Sequence, residues 1–129
     1  MTAVVDTNAI LRFLVGDDAA QQGQATAWFK EAEQGQRTLI VHPLVVAECC
    51  FVLESFYGKS RGDIAHAMEV FLSQRWLKVL DREVLIGLWS GYRKGLHFVD
   101  SFLLSMAERD QLEVLTYDKK VHQRNETRD

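Results

Sequence analysis

The apolar positions of this chain switch between two periods. They begin with a short β-branched run, Ala3-Val4-Val5, closed by Asp6 and followed by Ala9-Ile10-Leu11-Arg12-Phe13-Leu14 at helical spacing. A run so short and apolar reads as a buried central strand of a parallel sheet. Gly16-Asp17-Asp18 makes a turn and an acidic cap, and residues 19–34 then keep Ala25, Trp28, Phe29 and Ala32 on one helical face, with Gly35 as the stop. Thr38–Val41 is a second strand, closed by His42-Pro43. Proline suits a first helical turn, so a helix is expected from Leu44 to Tyr57, ended by Gly58. Ser60 caps the next helix, whose stripe is Ile64, Met68, Phe71 and Leu72.

Trp76–Leu80 reads as a third strand, Arg82–Lys94 as a helix closed by Gly95, and Phe98–Asp110 as a further helix. Glu113–Tyr117 is expected to be a fourth strand, ending at Asp118. Strands alternating with helices predict a single α/β domain over residues 1–129. Its architecture is a three-layer sandwich around a central, mostly parallel sheet of four to five strands, with right-handed crossovers.

Composition changes this picture little. Apolar residues make up 47% and charged residues 26%, the balance of a globular domain. No apolar run is long enough for a membrane span, and no basic-then-apolar leader opens the sequence, so a cytosolic protein is expected. Cys49 and Cys50 are adjacent, which suits neither a disulfide nor a zinc site, and they are expected to pack as small apolar groups. The net charge of −3 argues against a simple basic surface for nucleic acid. That objection weakens if acids gather around bound cations, which then set the local charge.

The acids carry the candidate chemistry. Asp6 ends the first strand, where ligands bind in parallel sheets, and would equally cap the following helix. Glu48 has Leu44, Val45, Phe51 and Val52 three and four positions away, so its carboxylate is expected on or beside a buried stripe. Such a carboxylate needs a cation, a metal or a route to solvent. Asp100 opens the helix after His97-Phe98-Val99, as a cap or first-turn acid. Asp118 ends the fourth strand as Asp6 ends the first, with Thr116 on the same side, and would also serve as a turn aspartate. Gathered on one sheet edge, these four carboxylates would repel one another unless cations joined them. Hard oxygen donors without thiols or a histidine pair suit Mg²⁺ or Mn²⁺. Such an ion activates water and clamps a phosphodiester. The four histidines show no ligand pattern, and no serine sits in a nucleophile elbow.

Taken together, Asp6-Thr7-Asn8 with Leu11-Arg12-Phe13-Leu14, Asp17-Asp18, Val45-Val46-Ala47-Glu48, Phe98-Val99-Asp100 and Leu115-Thr116-Tyr117-Asp118 resemble the PIN-domain family, and within it the VapC toxins of prokaryotic toxin–antitoxin pairs. The resemblance spans nearly the whole chain. It implies a Mg²⁺- or Mn²⁺-dependent endoribonuclease with Asp6, Glu48, Asp100 and Asp118 as metal-binding catalytic acids, and Asn8 and Thr116 supporting them. It also implies an RNA substrate, a homodimer and a cognate antitoxin that covers the site. The chain departs from its relatives at Gln123–Asp129, which is polar where they often add a strand.

Arg12, Lys59, Arg61, Arg93 and Lys94 are the candidate phosphate contacts. The helix of residues 44–57 carries more apolar side chains than one face buries, which predicts a partner surface. Two rivals share parts of the pattern. A haloacid-dehalogenase-type phosphatase needs a second aspartate where Asn8 stands. A receiver-like signalling domain would use Lys119 or Lys120 after the last strand, but it has no place for Glu48.

Overall fold

The computed structural model describes residues 1–122. Its strands β1 (Thr2–Val4), β2 (Thr38–Val41) and β3 (Leu77–Val79) form a parallel sheet in the order β1-β2-β3. Helices α1 (Thr7–Leu14) and α2 (Ala19–Glu33) join β1 to β2, and α3 (Pro43–Ser55) and α4 (Arg61–Leu72) join β2 to β3. Helices α5 (Arg82–Gly87), α6 (Trp89–Arg93) and α7 (Phe98–Asp110) follow. This is the expected α/β fold, a parallel sheet flanked by helices.

The register pairs Ala3 with Leu39 and Leu39 with Leu77. Val5 extends the first ladder by donating to the Ile40 carbonyl at 3.0 Å. Leu39, Val41, Leu77 and Val79 are buried, and they join one cluster with Ile10, Leu11, Phe29, Val46, Met68 and Leu72. The Phe29 ring meets Phe13, Phe71 and Trp76 at centroid distances of 4.4, 5.6 and 6.4 Å. Aromatic pairs of this kind each add about 0.5–1.5 kcal/mol beyond their buried area, so they fasten α1, α2 and α4 together. The helix punctuation follows the sequence. Asp18 and Ser60 cap α2 and α4 by accepting from Gln21 N and Asp63 N, and Pro43 opens α3. Gly58 and Gly95, at φ 65° and 104°, take the left-handed turns that follow α3 and α6.

Three readings are modified. β1 is an outer strand of the described sheet rather than a central one, and Val4 is exposed. The stretch Glu113–Tyr117 is not among the sheet's strands. Its exposure alternates with a strand's period, with Leu115 and Tyr117 on the exposed positions and Val114 and Thr116 half-buried. The expected single helix Arg82–Lys94 divides at Leu88, beside Gly87, one of the run's two glycines and a poor helix former. The polar tail Gln123–Asp129 lies outside the described residues.

Candidate functional site

Asp6 is both a strand-end acid and a helix cap. Its Oδ1 accepts from the Ala9 backbone N–H at 2.8 Å, while the residue remains exposed. Asn8 is exposed in the same first turn of α1. Glu48 corrects its expectation, for it is exposed and lies away from the buried stripe. That stripe is Val46, Cys49, Cys50 and Leu53, whereas Leu44 and Phe51, which flank Glu48 on the helix surface, are 74% and 69% exposed. A helix apolar all round gives no sequence signal for which side faces inward.

Cys49 ties these two acids together, a role the sequence reading did not give it. Its Sγ donates to the Thr7 carbonyl at 3.7 Å, bonding α3 to the first residue of α1. Burial pushes the thiol up to about 12, and the nearby carboxylates of Glu48 and Asp6 push the same way. Cys49 therefore stays protonated at neutral pH, and its thiol braces α3 against α1.

Asp100 is half-buried in the first turn of α7, whose cap residue His97 makes no side-chain capping bond. Asp118 is a turn aspartate. Its Oδ1 accepts from Lys120 N at 2.9 Å and Val121 N at 3.3 Å, and its own N–H donates to Thr116 Oγ1 at 3.0 Å. The Lys120 ammonium lies 3.9 Å from where a Cβ on Gly95 would stand, so this turn sits beside the loop that launches α7.

Helix α3 packs against both α1 and α7, so the elements bearing Asp6, Glu48 and Asp100 are neighbours. Among the described residues no three His, Cys, Asp or Glu side chains form a ready-made metal cage. Mg²⁺ seldom needs one, since it keeps several waters and takes one or two carboxylates plus substrate phosphate. The donor set suits it, because the capping bonds at Asp6 and Asp118 are accepted by Oδ1, which leaves Oδ2 of each available. None of the four acids is in an ion pair among the described residues; Asp17, Glu31, Glu54, Glu69, Asp81 and Asp110 pair with arginines, and Asp18, Glu33, Asp63, Glu83, Glu108 and Glu113 do not.

The expected phosphate contacts fare differently. Arg12 donates to Gln21, Asp17 and Tyr57. Arg93 binds Glu69 at 2.6 Å, a contact that holds the Glu69 carboxyl below its ordinary range. Arg61 is the most committed, donating to the carbonyls of Tyr92 at 2.8 Å and Leu96 at 2.6 Å and to Glu54 at 3.3 Å. Its guanidinium also stacks 4.4 Å from the Tyr92 ring centre. It braces the α6–α7 loop and is not free for a substrate. Lys59 and Lys94 are exposed.

Among the described residues no helix is long and apolar enough to cross a membrane. A search of curated proteins finds no match. The family model for the PIN domain matches residues 3–126, which leaves no room for the phosphatase or receiver alternatives. PIN domains are generally nucleases, and those nucleases usually use divalent metal ions. With its parallel sheet, its helix-borne acids and a match over nearly its full length, this chain belongs to the PIN-domain family.

Proposed function

We propose that the chain is a Mg²⁺- or Mn²⁺-dependent endoribonuclease that acts as the toxin of a toxin–antitoxin pair. The observation that carries the nuclease reading is the packing of α3 against α1 and α7, which makes neighbours of the elements bearing Asp6, Glu48 and Asp100, none of them in an ion pair among the described residues. Negative charge left without internal compensation is available to a cation.

Asp6 and Asp118 would offer their Oδ2 atoms, each carboxylate being held in orientation by capping bonds at Oδ1. Glu48 and Asp100 would complete the donor set, with Thr116 fixing the Asp118 turn and Asn8 beside Asp6. A bound divalent ion supplies charge neutralisation at the phosphodiester and lowers the pKa of water for in-line attack. Lys59 and Lys94 remain the candidates for phosphate contacts along the RNA.

The toxin reading draws support from α3. Leu44, Phe51 and the following Phe56 are exposed apolar side chains on and just beyond one helix, and such surface usually meets another chain. A two-fold homodimer, with an antitoxin segment lying against this face, would cover it.

The decisive assay incubates the chain with single-stranded RNA, with and without Mg²⁺ or Mn²⁺. Cleavage only with the metal, leaving 5′-phosphate and 3′-hydroxyl ends, is expected. Products ending in a 2′,3′-cyclic phosphate would sink this mechanism. Co-expression with the adjacent upstream gene tests the antitoxin, and toxicity unchanged by it would remove that part.

A further inference from the structure

Helix α7 is seated against α5 and α6 through small residues. A Cβ on Gly91 would stand 2.7 Å from Ser101 Oγ, 3.1 Å from Leu96 Cδ1 and 3.6 Å from Ser101 Cβ. A Cβ on Gly87 would stand 2.6 Å from Ser105 Oγ. Ser101 and Ser105, four residues apart, form one row on α7, and Gly87 and Gly91 meet them from the end of α5 and from α6. At the far end of the row Ser105 Oγ is latched to the Val84 carbonyl at 2.8 Å.

The Gly91 end is different. Ser101 is 3% exposed, and its Oγ has no hydrogen-bond partner among the described residues. A buried hydroxyl without a partner costs free energy, so it is not there for a bond. What it contributes is contact across a gap too narrow for any side chain at residue 91. Ser101 immediately follows Asp100, and Leu96 immediately precedes His97, the cap of α7. The two tight contacts of Gly91 thus bracket the turn that carries Asp100.

We propose that Gly91 is a positioning residue: by carrying no side chain it sets the first turn of α7, and with it the Asp100 carboxylate, relative to the acids on α1 and α3. The proposal rests on the nuclease reading of those acids. Gly91→Ala must push back Ser101 and Leu96, although alanine suits a helix better than glycine does. Removing the opposing hydroxyl relieves the tighter contact and leaves Leu96 Cδ1 at 3.1 Å, the end of a flexible side chain that can turn aside. In the pair Gly91→Ala with Ser101→Ala the nearest Ser101-side contact becomes the 3.6 Å carbon–carbon distance, an ordinary packing distance.

The test compares wild type, Gly91→Ala, Ser101→Ala and the double variant. Gly91→Ala is expected to lower kcat for RNA by about 10- to 100-fold, the scale of a misplaced reacting group, with KM little changed. Its Mn²⁺ affinity, measured calorimetrically without RNA, falls as well. Ser101→Ala behaves as wild type, and the double variant recovers both properties. A folded Gly91→Ala with wild-type kcat and Mn²⁺ affinity would overturn the proposal. So would a double variant that folds without recovering either, and this arm holds even if Gly91→Ala alone does not fold. The ¹³C resonance of the Asp100 carboxyl follows its surroundings without metal or substrate. A wild type that neither binds Mn²⁺ nor cuts RNA defeats the nuclease reading, whereas an unmoved Asp100 resonance in Gly91→Ala defeats the positioning role.

Discussion

The Cys49 thiol donates to the Thr7 carbonyl, so the residue after Glu48 is bonded to the residue after Asp6. Cys49→Ala should cost about 1 kcal/mol through the lost bond and the small void. The pH dependence follows from the raised pKa. A thiol whose pKa rises from 9.0 to about 12 on folding stabilises the chain fully below 9.0, and that contribution is lost as pH climbs toward 12. Urea midpoints between pH 7 and 10 should therefore fall more steeply for wild type than for Cys49→Ala. Equal slopes would mean that the thiol is not closed off as described.

Substitutions at Asp6 separate its two duties. Asparagine caps helices as well as aspartate does, so Asp6→Asn should fold with wild-type stability yet lose any thermal shift produced by Mn²⁺. Asp6→Ala loses the bond to Ala9 as well, at about 1 kcal/mol. If Mn²⁺ stabilises Asp6→Asn as much as wild type, Asp6 is a cap and nothing more.

Much of this was legible in the sequence because it is local. The caps at Asp6, Asp18 and Ser60, the proline at the start of α3 and the glycine stops depend on residues only a few positions apart. Glu48 was misjudged because its inward or outward aspect depends on what α3 packs against, and apolar residues surround it on the helix. Arg61 looked like a surface cation because its partners, the carbonyls of Tyr92 and Leu96, lie more than thirty positions away and leave no trace in side-chain chemistry.

Arg61→Ala should destabilise the chain by about 2–4 kcal/mol, since it strips a charged donor from two carbonyls and a stacked ring. Arg61→Lys should restore only part of this, because an ammonium lacks the planar fork. Lys59→Ala, an exposed change, should leave stability within about 0.5 kcal/mol and weaken RNA binding. Chemical denaturation ranks the three, and an Arg61→Ala chain as stable as Lys59→Ala would contradict the bracing role.

Phe51 tests the outer face of α3. Being 69% exposed, it contributes little to its own chain's core, so Phe51→Ser should change the stability of a monomer by no more than about 0.5 kcal/mol. If copies of the chain join through this face, light scattering should show Phe51→Ser dissociating at concentrations where wild type stays paired. A wild type that is cleanly monomeric at micromolar concentration would remove the dimer.

The sheet's strand order follows the order of synthesis, each crossover laying the next strand beside the last. A chain leaving the ribosome can therefore build β1, β2 and β3 in turn, with Asp6 and Glu48 in place early. Asp100 arrives only once α7 is threaded, and Asp118 only after the turn that follows it. A site assembled this way carries its own delay. If the four acids act together as proposed, released chains ending before residue 98 hold all three strands yet lack Asp100 and Asp118, and should be unable to cut RNA.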